Sequence, residues 1–94
     1  MTIFIKKMAG TFAENKDVAS NIRVKKIMPA LKNNKQIILD FKDVTGATQS
    51  FIHALISDAI RQYGANALDS ISFKNCNLVI KEVITIVTEY MQES

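Results

Sequence analysis

The segment Gln36–Tyr63, QIILDFKDVTGATQSFIHALISDAIRQY, constrains the fold more than any other stretch of this chain. Ile37-Ile38-Leu39 is a continuous apolar run, the pattern of a parallel strand buried on both faces. A short polar loop follows, and Thr48 is placed to cap a helix in which Ile52, Leu55, Ile56, Ala59, Ile60 and Tyr63 form one stripe. Gly64 stands where a left-handed C-terminal cap is expected. Gln49, His53, Ser57 and Arg61 fall on the opposite, solvent-facing side. This strand-to-helix passage aims the N–H groups of Thr48, Gln49, Ser50 and Phe51 at solvent, beside the loop Lys42–Ala47. Ligands of α/β sheets gather there, beyond the carboxyl ends of the strands.

The remaining segments extend the alternation. Thr2–Lys6 reads as a strand, and Met8–Ala19 as a loop with a second short strand near Thr11–Phe12. Ser20 is the cap expected for a helix from Asn21 to Asn33, with Val24, Ile27, Met28 and Leu31 at helical spacing. Pro29 costs about 3 kcal/mol inside a helix, so a kink or two helical pieces are expected. Ser70–Lys74 alternates as a strand with Ile71 and Phe73 on one face, and Asn75-Cys76-Asn77 supplies a turn and a cap. The last helix, Leu78 to Gln92, has Val79, Val83, Ile86, Val87 and Tyr90 on its apolar face, widened by Ile80, Ile84 and Met91. Its β-branched content keeps strand open as an alternative for part of it. The order predicts a single domain, 1–94, of α/β class: a small three- to four-stranded, mostly parallel sheet backed by helices, with right-handed crossovers.

Composition narrows the function. At 94 residues and 48% apolar, the chain makes one folded domain. No apolar run approaches the roughly 18–20 residues that span a bilayer. The N-terminal lysines follow the apolar residues, unlike a secretion signal, and a lone Cys76 suits a reducing compartment; a cytoplasmic protein is expected. One histidine and one cysteine give no metal-ligand spacing, and Asp40 and Asp43 read as soluble turn residues; neither metal nor cofactor is expected. Cys76, at the start of the last helix, sits where a thiol pKa is lowered. No phosphate-loop lysine follows Gly46. Ser50 and His53 are neighbours on a helix, but nothing points to a third, orienting group, so a non-enzymatic module is predicted.

Charge is uneven. Residues 1–35 hold eight Lys/Arg against two Asp/Glu, a net of +6, while residues 36–94 hold four against seven, a net of −3. Such polarity steers a charged partner or favours head-to-tail contacts. Arg23, Lys25, Lys26 and Lys32 give the first helix a basic side, with Lys6, Lys7 and Lys35 in the same half of the chain. Nucleic acid is therefore a competing partner, opposed by the lack of interleaved aromatics and of any helix-turn-helix pattern.

The strand Ile37–Phe41 ending in Leu39-Asp40-Phe41, then Val44, then Ser50-Phe51 at a helix start, resembles the STAS domain of anti-sigma-factor antagonists. The strand Ile71–Lys74 with Asn75 and Asn77, and Gly10 ahead of Phe12, add to the likeness, which runs from Gly10 to Met91. The chain is most similar to the compact STAS-like domain family of bacteria, whose function is largely unassigned. In STAS antagonists the corresponding loop reads roughly Asp-Ser-Ser-Gly-Leu, and a partner kinase phosphorylates its second serine. Laid on that pattern, Ser50 takes the place of the modified serine. Thr48 replaces the aspartate, Gln49 the first serine and Phe51 the glycine. The resemblance implies a protein-interaction module with Ser50 as its modified residue. It implies a partner-binding loop of Thr45, Gly46, Ala47, Thr48, Gln49 and Ser50, with His53 beside it, and a histidine-kinase-type ATPase as partner. A constitutive scaffold or homodimer, using an apolar surface of the last helix, is the alternative reading; a nucleic-acid accessory is the third.

Overall fold

The computed structural model describes residues 1–93. Three short strands, β1 (Thr2–Phe4), β3 (Ile37–Asp40) and β5 (Ile71–Lys74), form a parallel sheet in the order β1-β3-β5. A second parallel pair joins β2 (Phe12–Ala13) to β4 (Gly46–Ala47). Helices α1 (Ile5–Ala9), α2 (Lys16–Ile22), α3 (Met28–Lys32), α4 (Gln49–Tyr63), α5 (Ala65–Ser70) and α6 (Leu78–Glu93) complete the α/β fold, with a π-helical turn at Arg23–Ile27 between α2 and α3. Among the described residues, no helix is long and apolar enough to cross a membrane.

The sheet meets the core on one face, and its edge strands are exposed on the other. Register aligns Ile3 with Leu39 and Phe73, and Ile37 with Ile71, on the side that meets the core. The alternate rows, Thr2–Ile38–Ser72 and Phe4–Asp40–Lys74, face the other way, where Thr2, Phe4, Ser72 and Lys74 are exposed and Ile38 is half-buried. The central strand β3 still comes near the expectation of burial on both sides, since on this second face Asp40 is buried and Ile38 half-buried. Strands taken in chain order and joined by right-handed crossovers place all connecting helices on one face. No second helical layer is left for the other.

The first helix starts earlier than Ser20. Asn15 caps it, its Oδ1 accepting from the N–H groups of Asp17 at 2.9 Å and Val18 at 3.3 Å. Two side chains competed for that role, and the earlier one lengthens the helix by a full turn. The two helical pieces expected around Pro29 are α2 and α3, and the break between them does not fall at Pro29 itself. The register instead loosens ahead of it, and the Met28 N–H donates to the Arg23 carbonyl five residues back. A wider turn relieves the clash of the proline ring with the carbonyl four residues behind it. Asn34, at φ 57°, then ends α3 in a left-handed cap, with Lys35 N–H on the Ala30 carbonyl and Asn34 N–H on that of Leu31.

Two further expectations change. Ile5 and Lys6 belong to α1, not to the first strand, and residues 65–70 form the helix α5. Gly64 has the positive φ expected (60°), but its ψ of −138° lies outside the left-handed helical well, in a region open to glycine. The last segment is helical throughout. Thr85 and Thr88 fit that helix by donating their hydroxyls to the carbonyls of Lys81 and Ile84, one turn back.

Candidate functional site

The passage from β3 to α4 is built in two halves that behave differently. In the first half the loop is clamped. Thr45 donates its N–H (2.7 Å) and its hydroxyl (3.0 Å) to the Thr11 carbonyl, and its own carbonyl accepts from Asn77 Nδ2 at 2.9 Å. Gly46 and Ala47 are buried in the pairing with β2, and Thr48 N–H donates to Ala13 O at 3.0 Å. A side chain on Gly46 would meet the Phe12 ring, 2.9 Å from Cε1. Thr45–Thr48 is thus tied into the packed structure.

The second half is open. Thr48 caps α4 as expected, its Oγ1 accepting from Phe51 N–H at 3.1 Å. That bond and the one to Ala13 remove two of the four N–H groups expected to face solvent. Gln49 and Ser50 remain, both exposed, their amides without an acceptor among the described residues. Ser50 is the second residue of α4, where a negative charge is favoured by the helix dipole.

A groove of about 440 Å³ runs along this open end, lined by Lys16, Gln49, Ser50, His53, Ala54, Ile86, Val87 and Tyr90. Asp40 and Asp43 do not line it. The structure therefore brings together Gln49, Ser50 and His53 of the expected site and separates them from Thr45, Gly46 and Ala47. It adds Lys16 from α2 and an apolar wall from α6 that sequence reasoning missed. His53 is half-buried in the groove rather than free in solvent. The missed wall left one trace: α6 has more apolar positions than a single buried face can use.

Asp40 acts elsewhere, at the exits of β3 and β5. Its Oδ1 accepts from Asn75 Nδ2 and from Lys42 N–H, both at 2.9 Å. These bonds, that of Asn75 foremost, hold the carboxyl below its ordinary pKa of 3.8. Asn77 caps α6, its Oδ1 accepting from Ile80 N–H at 2.9 Å. Cys76 corrects an expectation: burial pushes its thiol pKa up rather than down.

Two other surface residues turn inward. Ser57 is 3% exposed, because α2 and the π turn cover that flank of α4. Arg23 leaves the expected basic face: its Nη1 donates to the Ala54 carbonyl at 3.0 Å, and its Nε lies 3.3 Å from Asp58.

One family model matches, over residues 19–81, and its description is a STAS-like domain of unknown function (DUF4325). No curated protein and no solved structure matches. The matched span is shorter than the Gly10–Met91 resemblance. It contains Gln49, Ser50, His53 and Ala54 but not Lys16, Ile86, Val87 or Tyr90, so it covers one side of the groove.

Proposed function

The chain belongs to this STAS-like family, and from that membership we propose that it is a non-enzymatic regulatory module that holds a protein partner in the groove beside Ser50. In this reading a histidine-kinase-type ATPase phosphorylates Ser50 in the bacterial cytoplasm, and the state of Ser50 decides which partner the groove holds. One observation carries the reading: an exposed serine, whose own amide and that of Gln49 are open at the helix start, lines a groove that also holds Lys16 and an apolar wall. A phosphate there adds about −1.5 to −2 charge, which the helix end favours by roughly 0.3–1 kcal/mol at an exposed site. Lys16 lines the same groove, and the two carboxylates that would oppose the phosphate do not.

Incubation with a histidine-kinase-type ATPase and ATP, followed by intact-mass analysis, tests the switch. One phosphate is expected on the wild-type chain and none on Ser50→Ala. No gain on the wild type, or a gain that Ser50→Ala leaves unchanged, removes it.

A further inference from the structure

Two separate surfaces of this molecule combine exposed apolar residues with charges of opposite sign. On α6, Val79, Val83, Ile86 and Tyr90 follow a four-three-four spacing and lie along one line of the helix. Val79 is 56%, Ile86 44% and Tyr90 64% exposed, while Ile80, Ile84, Val87 and Met91 take the adjoining face into the core. Glu82 and Glu89, both exposed, run along the outer flank of this ridge, two turns apart. The second surface is a hollow of about 400 Å³ lined by Val24, Met28, Pro29, Lys32, Gln62 and Tyr63. Val24 is 58% exposed in it, and Lys25 is exposed on the same turn. The nearby carboxylate of Asp58 is already held by Arg23 and Arg61. α4 packs against both the π turn and α6.

We infer that the α6 ridge of one copy seats in the Val24–Met28–Pro29 hollow of a second copy, with Glu82 and Glu89 set against Lys25 and Lys32. An apolar helix line entering an apolar hollow is a recurrent mode of recognition. Charge selects the occupant. Pairing the ridge with itself about a two-fold axis offers its two glutamates the single Lys16 across the Ser50 groove, because Lys81 projects from another side of α6. The hollow is lined by Lys32, and Lys25 is exposed seven residues before it, the same spacing that separates Glu82 from Glu89. The same polarity holds across the chain, with its basic first third and acidic remainder. Since ridge and hollow are different surfaces, every added copy leaves one of each free, and association propagates into a filament or closes into a ring. A seated copy also covers Ile86 and Tyr90, the apolar wall of the Ser50 groove, so self-association competes with partner binding. None of this requires Ser50 to be modified.

Sedimentation velocity on the full chain tests it, up to the millimolar range at low and high salt. Species larger than dimers are expected at low salt, with association weakened about tenfold or more at high salt. Glu82→Lys/Glu89→Lys and Lys25→Glu/Lys32→Glu each sediment as monomers, and their mixture reassembles because both contacts are again complementary. Tyr90→Ser, which changes no charge, also weakens assembly about tenfold. Circular dichroism melts establish that the variants are folded, as expected for exposed positions. A wild type that stays monomeric overturns the inference. So does a salt-indifferent dimer retained by both charge variants, or a mixture of folded variants that stays monomeric.

Discussion

The helices α4 and α6 are almost equal in length and both rich in apolar residues, yet they use those residues in different ways. In α4, Phe51, Ile52, Leu55, Ile56, Ala59 and Ile60 are all buried. In α6, Ile80, Ile84, Val87 and Met91 are buried, while Leu78, Val79, Ile86 and Tyr90 are exposed, Leu78 at 82%. Position explains the contrast. α4 is surrounded by α2, the π turn, α5 and α6, whereas α6 packs mainly on α4 and β4. An apolar residue is buried only where a neighbour exists to cover it, and a helix at the margin of the layer has surplus apolar surface left over.

The contrast breaks if equivalent truncations cost the same in both helices. Phe51→Ala is expected to destabilise by about 3–5 kcal/mol in urea unfolding, since a fully buried ring leaves a cavity. Ile86→Ser is expected to change stability by no more than about 0.5 kcal/mol. Next in size come the caps. Asn77→Ala should cost about 1–2 kcal/mol, because it uncaps α6 and leaves the Thr45 carbonyl without its donor. Thr48→Ala removes only the bond to Phe51 and should cost about 1 kcal/mol. Equal losses in the two cap variants would show that the Asn77–Thr45 bond adds nothing. The smallest effect concerns Asp40. Its folded pKa lies below the unfolded value near 3.8, so its contribution is present above that pH and disappears as pH falls through the lowered folded value. Asn75→Ala, which removes the larger cause, should flatten the acid limb of a stability–pH curve below about pH 4. An unchanged limb would assign the acid sensitivity to other carboxylates.

Much of α4 was legible in the sequence because three independent signals agree there: Thr48, the apolar period and Gly64. β3 and β5 were legible as apolar runs bounded by polar turns. The pieces that were not legible lacked such agreement. β2 and β4 are two residues long, too short to show any periodicity, and exist because Thr45 and Thr48 find the carbonyls of Thr11 and Ala13 across the chain. The π turn depends on how the helix absorbs Pro29, and composition does not encode that choice. Ser57 looked like a solvent residue because its flank reads as polar; α2 covers it in the folded chain. Of the groove, Gln49, Ser50 and His53 could be read from one helix. Lys16 and Tyr90 come from segments 34 residues before and 40 residues after Ser50, and only tertiary packing brings them to it.

The order β1-β3-β5 has a consequence for how the chain must fold. The pairings link Thr2 to Ile38 and Ile37 to Ile71, so each closes a loop of more than 30 residues and no hairpin is available to start the sheet. β3 pairs with both neighbours, and until residues 71–74 have left the ribosome its second edge has nothing to bond. The sheet is therefore complete only once the last quarter of the chain is present, and that quarter finishes the architecture rather than merely decorating it.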